Sequence, residues 1–268
     1  MTGSSHAPEN RRNKKFAVIT GASSGIGYEL AKQFAEHGFD LLIAARGDEL
    51  LQAADRLRKF GVTVDPAQVD LATEAGVREL YATIACRPVD ALVLNAGVVN
   101  YGEFARTPEL LDKELQLVRL NVESVVHLSK LVLPEMVERG EGRVLITSSV
   151  AAEVPGALYS TYAASKAFLL LFAEAIRSEM KSSGVSVTIL MPPPTETGIF
   201  NESGMSQTVV GKSKKSDPAS VAKIGFDCLM SGKEHAIPGL FGKLTHFGAP
   251  FLPARVLAIL NRAMLHPA

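Results

Sequence analysis

Short apolar runs alternate along this chain with longer segments in which apolar residues recur every three or four positions. The runs at 16–20, 41–45, 62–69, 91–95, 143–148 and 185–191 read as strands, with Pro66 breaking the third and a weak seventh at 236–240. The longer segments at 27–37, 49–59, 74–85, 109–137, 162–181 and 218–230 read as helices. The strands are apolar nearly throughout rather than at every second position, which marks strands buried on both faces. Their alternation with helices predicts an α/β fold: a doubly wound parallel sheet of about seven strands in a three-layer α/β/α arrangement, with right-handed crossovers. There is no repeat period and no Pro/Gly/Ser-rich linker, so residues 15–268 read as one domain behind a flexible stretch at 1–14.

Two stretches leave this pattern. Residues 195–217 are polar, rich in Gly and Ser, and carry Lys212, Lys214 and Lys215. A segment of that length without periodicity reads as a substrate loop or lid. Residues 238–268 are apolar and slightly basic, and 254–265 read as an amphipathic helix with Arg255 and Arg262 beside an oily face. That helix either packs on the domain or a sister subunit, or meets a lipid surface.

Composition narrows the function classes. Among 268 residues, 28 Lys and Arg balance 28 Asp and Glu, which removes a whole-chain electrostatic grip on nucleic acid. Two cysteines, Cys86 and Cys228, build neither a disulfide scaffold nor a zinc cluster. They read as buried thiols in a reducing compartment. The first 15 residues are polar and end in Arg11, Arg12, Lys14 and Lys15, without the apolar core of a signal peptide. No uncharged apolar run approaches the ~18 residues that span a bilayer. The expectation is a cytoplasmic protein with no integral membrane segment, and no metal is called for.

The first strand runs into Thr20-Gly21-Ala22-Ser23-Ser24-Gly25-Ile26-Gly27 and then directly into a helix. Glycines let the backbone turn tightly and approach a pyrophosphate, and the helix N-terminus offers unpaired amides with a positive dipole end. The strand–loop–helix context makes this a dinucleotide cradle. The end of the second strand then selects the cofactor. An acidic residue there would bond a ribose 2′-hydroxyl, but the strand ends Ala44-Ala45-Arg46. Arg46 suits a 2′-phosphate, so NADP is expected over NAD. Asp48, two residues on, reads as the start of the next helix.

Tyr162 and Lys166 lie four apart in Tyr162-Ala163-Ala164-Ser165-Lys166, on one helix face. A phenol working near neutrality needs its pKa lowered from about 10, and a nearby ammonium has the right sign to do it. Tyr28 and Lys32 share this spacing but are preceded by Lys15 thirteen residues upstream, whereas Tyr162 is preceded by Ser149 at a strand end. The second pair therefore reads as chemical and the first as structural. Ser148 and Ser149 point to opposite faces, and the thirteen-residue offset selects Ser149.

Together these residues make the chain resemble the short-chain dehydrogenase/reductase family, in its single-domain branch of about 250 residues. The resemblance rests on the Thr20–Gly27 loop, Asp70-Leu71, Asn95-Ala96-Gly97, Asn121, Ile146-Thr147-Ser148-Ser149, the Tyr162–Lys166 motif and Met191-Pro192, in order over about residues 15 to 200. It implies a Rossmann-type sheet of order 3-2-1-4-5-6-7 and reversible hydride transfer between NADPH and a carbonyl or secondary alcohol. Carried over by position, Tyr162 is the acid/base, Ser149 bonds the substrate oxygen, and Lys166 holds the nicotinamide ribose and lowers the Tyr162 pKa. Asn121 binds a water relaying protons to Lys166. Cofactor contacts fall on Gly21, Ser23, Ser24, Gly25, Ile26, Gly27, Arg46, Asp70, Leu71, Asn95, Ala96, Gly97, Pro192, Thr195 and Thr197, with Asp70 at the adenine and Thr197 at the carboxamide. Glu153 and Leu158 fall where the family often lines its substrate pocket.

The family usually has Pro-Gly after its sixth strand; Pro192-Pro193-Pro194 stands here. The resemblance also implies a homo-oligomer, dimer or tetramer, formed through the long helices 109–137 and 162–181. A hydrophobic ketone, an aldehyde or a 3-oxoacyl group are the substrate classes left open. The alternative is a dinucleotide-binding regulatory or interaction protein without turnover, which the presence of Asn121, Ser149, Tyr162 and Lys166 disfavours.

Overall fold

A computed structural model describes residues 14–85 and 87–266. The N-terminal stretch 1–13 and Cys86 lie outside the described residues. Cys228 is a half-buried free thiol rather than a fully buried one.

Strands β1 (Phe16–Thr20), β2 (Asp40–Ala45), β3 (Val64–Gln68), β4 (Ala91–Leu94), β5 (Gly142–Thr147), β6 (Val185–Leu190) and β7 (His235–Ala236) form one parallel sheet. Their order is β3-β2-β1-β4-β5-β6-β7, the order the resemblance implied. Register runs straight across the centre, with Val18 opposite Leu42 on one side and Leu92 on the other. Pro66 does not break β3. It sits opposite Ile43, and β3 is an edge strand, where a missing amide proton is tolerated.

Helices cover both faces. On one, α1 (Gly25–Glu36), α2 (Glu49–Arg58) and α9 (Pro218–Met230) bury Leu30, Phe34, Leu50, Leu57 and Phe226 against Ile19, Leu41 and Ile43. Phe34 meets Phe226 edge-on with ring centroids 4.9 Å apart. On the other, α3 (Glu74–Ile84), α5 (Ser124–Arg139) and α6 (Ser160–Glu179) bury Leu80, Leu128, Met136 and Leu169 against Val18, Leu92 and Val144. These inward positions are the three- and four-spaced apolar residues of the sequence.

Two expectations need correction, and a third segment gains detail. Residues 109–137 are not one helix: α4 (Leu111–Val118) passes through a π-helical turn, Arg119–Glu123, before α5. The turn inserts an extra residue and carries Asn121 into the core, where it is fully buried. The weak seventh strand stops at Ala236, and α10 (Gly239–Gly248) begins where a longer strand was expected, because Pro238 and Gly239 punctuate the chain there. Residues 195–217 are structured, holding α7 (Ile199–Glu202), a 3₁₀ turn Met205–Gln207 and α8 (Val209–Lys212). The flap is closed at its base by a Thr195–Ser216 bridge and capped inside by Thr208, whose hydroxyl accepts from Gly211 N at 3.0 Å. Helix α11 (Ala254–Leu265) forms where the amphipathic pattern placed it.

The Phe34–Phe226 contact joins α1 to α9 far apart in sequence, so Phe226→Ala should lower the unfolding free energy by about 3–5 kcal/mol. Urea denaturation at neutral pH reads this directly, and an unchanged midpoint would contradict the packing described.

Candidate active site

The carboxyl ends of β1, β4, β5 and β6 open into a cleft of about 1150 Å³. Open α/β sheets bind ligands at this edge. Of the residues expected to act, the glycine loop, Arg46, Asp70, Leu71, Asn95, Ala96, Gly97, Ser149, Tyr162, Lys166, Pro192, Thr195 and Thr197 all line it.

The glycine loop fits a pyrophosphate. Gly21 has φ +68, and a Cβ there would come within 2.8 Å of Ala96 Cα. A Cβ on Gly27 would lie 2.0 Å from Gly21 O, so α1 presses onto the loop as closely as backbone allows. Ser24, at the N-cap of α1, makes no side-chain cap, and the first turn carries no acid. The amides at that helix end are left for a ligand. Arg46 is exposed, and its guanidinium stands 3.9 Å from the Asp70 carboxylate. An exposed pair at that distance holds weakly and leaves Arg46 able to turn to a phosphate. Asp48 occupies the N-cap position of α2 but makes no side-chain cap. Its carboxylate instead accepts from Gln68 Nε2 at 2.6 Å.

At the other end, β5 delivers Thr147, Ser148 and Ser149 in extended alternation. Ser148 turns down and donates to Lys166 O at 2.7 Å. Ser149 turns up, accepts from Ala151 N at 3.1 Å, and faces the Tyr162 phenol closely enough to favour its ionised form. One helical turn along α6, the buried Lys166 donates from Nζ to Thr147 O at 2.9 Å and stands 5.7 Å from the Tyr162 ring centre. A Cβ built on Gly97 would lie 3.2 Å from Asn121 Oδ1 and 3.4 Å from Lys166 Nζ. Asn121 sits just beneath the cleft rather than on its wall. Its Nδ2 donates to Val98 O at 3.0 Å and Ser165 Oγ at 3.1 Å, while Oδ1 accepts from Val98 N at 2.9 Å. Both amide protons are thus committed, and Oδ1 keeps one lone pair for a further donor.

Burial sets the protonation of this corner. It pushes Tyr162 up to about 12, partly offset by the Ser149 hydroxyl, with neighbouring Tyr159 adding to the rise. The same burial pushes Lys166 down to about 8. The expected lowering of Tyr162 by Lys166 is therefore not the prevailing effect here, because desolvation of the phenolate outweighs it.

Glu153 and Leu158 are not on the cleft wall itself. The Glu153 carboxylate is bound to His246 Nδ1 of α10 at 2.8 Å. Leu158 takes a left-handed backbone, φ +71, and its side chain packs in an apolar cluster with Val99, Met205 and Leu265. The cleft wall above Tyr162 instead comes from the C-terminal helices: Phe241, Leu244, Leu252, Leu257, Leu260 and Met264. Asn261 Nδ2 donates to Tyr159 Oη at 2.9 Å, and Tyr101 Oη donates to Leu265 O at 2.7 Å, docking α11 over the site. The amphipathic pattern of 254–265 was the available signal. Asn100 was also missed: it lines the cleft, and its Nδ2 is buried without a hydrogen-bond partner, a donor suited to a ligand. The three prolines keep every carbonyl in use, Pro192 O accepting from Val150 N, Pro193 O from the Thr195 hydroxyl and Pro194 O from Ser216 N.

A phenol and an ammonium set beside a dinucleotide cradle are the equipment of an oxidoreductase acting on CH–OH groups. The family model described as short chain dehydrogenase matches residues 15–208, and the chain belongs to the short-chain dehydrogenase/reductase family. It is 33% identical over 212 residues to the oxidoreductase UcpA of Salmonella typhimurium, covering 77% of each chain. It is 34% identical over 182 residues to the very-long-chain 3-oxoacyl-CoA reductase of Bos taurus, 66% of this chain and 58% of that one. Across several of the curated relatives the match spans 52% to 64% of their length. Among solved structures, the short-chain dehydrogenase from Sphingobium yanoikuyae in complex with NADPH shares the fold with a TM-score of 0.81. It is 27% identical, over 95% of this chain and 98% of that one.

Because Lys166 has a folded-state pKa below its unfolded value, the unfolded chain binds more protons between about pH 8 and 10.5, and stability rises with pH across that window. Below it, the buried ammonium is a cost. Lys166→Met should therefore stabilise the cofactor-free protein at pH 7 by on the order of 1–2 kcal/mol, allowing for the orphaned Thr147 carbonyl. It should also flatten the rise above pH 8. Urea titrations at pH 7 and 9.5 compare the two proteins, and a destabilised variant at pH 7 would count against a desolvated lysine.

Proposed function

We propose that the protein is an NADPH-dependent carbonyl reductase, reversible as an alcohol dehydrogenase, for a large apolar ketone or 3-oxoacyl substrate. The observation that carries this reading is the placement of Ser149, Tyr162 and the buried Lys166 together in one cleft with the uncapped α1 amides. Bound NADPH would supply the hydride. Ser149 and Tyr162 would hold the carbonyl oxygen and stabilise the charge developing on it, and Tyr162 would give it a proton. With its pKa near 12, Tyr162 carries that proton at neutral pH, the form reduction needs. Lys166, held by Thr147 O, keeps its ammonium pointing into this corner and bears the positive charge that steadies a phenolate once the proton has left. Asn121 fixes the floor through Val98 and Ser165 and would seat the relay water.

Two features support the finer assignments. Arg46 follows directly on β2 with no acid at the strand tip, which favours a 2′-phosphate. The aliphatic wall from α10 and α11 favours an apolar substrate, as does the likeness to a 3-oxoacyl-CoA reductase. We further propose that copies associate through α4, α5 and α6, which leave Leu111, Leu115, Phe168 and Leu171 exposed.

Loss of NADPH absorbance against a panel of ketones, aldehydes and acyl thioesters tests the reading. Tyr162→Phe should lower kcat by about 10²–10⁴-fold with NADPH binding retained. Turnover surviving in that variant would move the proton transfer to another group. Arg46→Ala should lower kcat/KM for NADPH by about 10–100-fold while leaving NADH within about twofold. An equal loss with both cofactors would remove Arg46 as the selector.

A further inference from the structure

Helices α10 and α11 present two faces. The inner face walls the cleft. On the outer face, Leu240, Lys243 and Phe247 follow one another at helical spacing, Phe251 projects from the connecting turn, and Arg255, Ile259 and Arg262 continue along α11. Phe251 is 86% exposed and Leu240 73%, and Phe247, Val256 and Ile259 are exposed with them. Scattered exposed apolar residues are normal, but a contiguous patch of this make-up marks an interaction surface. Leu244 and Leu260 are exposed and line the cleft as well, so the patch runs into the rim of the cleft.

Charge identifies what covers the patch. From His235 to His266 the chain has no Asp or Glu. Lys243, Arg255 and Arg262 are exposed and make no ion pair with any described residue. A second copy packed on the patch about a two-fold axis would set three cations against the same three, with no acid between them. An anionic bilayer matches both components: the aromatic and aliphatic side chains enter the headgroup–acyl boundary, and the long basic side chains reach the phosphates. At 12 residues α11 is about 18 Å long, too short to cross the ~30 Å hydrocarbon core, so it lies along the surface.

We propose that the outer face of α10 and α11 docks this protein on an anionic lipid surface, with the cleft rim facing the bilayer. The proposal stands on the patch and not on the reaction assigned above, and its test reads binding alone.

The full chain would be centrifuged with phosphatidylcholine vesicles, with and without phosphatidylglycerol, at low and high salt. The expected result is pelleting with the anionic vesicles, weakened by salt, and little with the neutral ones. The Lys243→Glu/Arg255→Glu/Arg262→Glu variant should lower the partition by more than about 100-fold, since each cation near an anionic surface adds about fivefold. Phe247→Ser/Phe251→Ser should lower it by at least about tenfold. All five positions lie outside the cleft wall, so NADPH binding by fluorescence should match the parent and verifies that the variants fold. Equal recovery in the supernatant with both vesicle types overturns the proposal. So does pelleting that the charge reversals leave unchanged. Self-association in sedimentation velocity that the double Phe variant abolishes, without vesicle binding, would assign the patch to a second copy instead.

Discussion

The Thr20 hydroxyl accepts the amide protons of Asn95 and Ala96 at 2.9 and 3.1 Å and donates to Val93 O at 3.2 Å. The Asn95 amide reaches back to Thr20 O and Gly21 O, and its oxygen accepts from the Thr147 hydroxyl at 3.2 Å. This knot joins the carboxyl ends of β1, β4 and β5, where three strands would otherwise splay with the sheet's twist. It sets the glycine loop against Ala96, and it sets Thr147, whose carbonyl holds Lys166, against Asn95. The glycine loop and the Ser149–Tyr162–Lys166 corner therefore keep a fixed separation because one threonine and one asparagine bind both.

The corner built on that frame is electrostatically reluctant. Two ionisable groups are both held toward neutrality by burial, with Tyr162 raised and Lys166 lowered. A ligand that brings polar atoms into the cleft would change the environment of both at once, so ligand occupancy and proton affinity are linked through the same desolvation. With its pKa raised by burial, Tyr162 keeps its proton at neutral pH, the state from which a phenol can donate.

Much of this was legible in the sequence because it is local. The glycine loop after β1, Ser149 at the end of β5 and the Tyr162/Lys166 spacing each depend on a few neighbouring residues whose period fixes which way they face. The strand order came with the resemblance rather than from periodicity. What escaped was non-local or rested on an exception. The π turn at Arg119–Glu123 interrupts an apolar period that reads as one helix, and nothing in the period signals the extra residue. Glu153 lies in the loop between Ser149 and Tyr162, yet it is drawn to His246, 93 residues on. The wall above Tyr162 comes from α10 and α11, whose docking depends on Asn261 meeting Tyr159 and Tyr101 meeting Leu265 across the whole chain. Pro66 misled in the other direction, since a proline is excluded from a strand interior and permitted at a sheet edge.

The π turn also makes this stretch intolerant of changes in length. Successive α-helical residues are rotated by about 100°, so removing one residue between Arg119 and Glu123 would let the ladder close as an ordinary helix and swing all of α4 through that angle relative to α5. Lys113 and Gln116, which now line the cleft, would leave it, and Asn121 would lose its alignment with Val98 and Ser165. Substitutions along the outer face of α4 leave that geometry untouched. In this segment, then, the fold itself holds the number of residues fixed, whereas the outward side chains of α4 answer only to what packs on them, the reverse of what a surface loop of the same size allows.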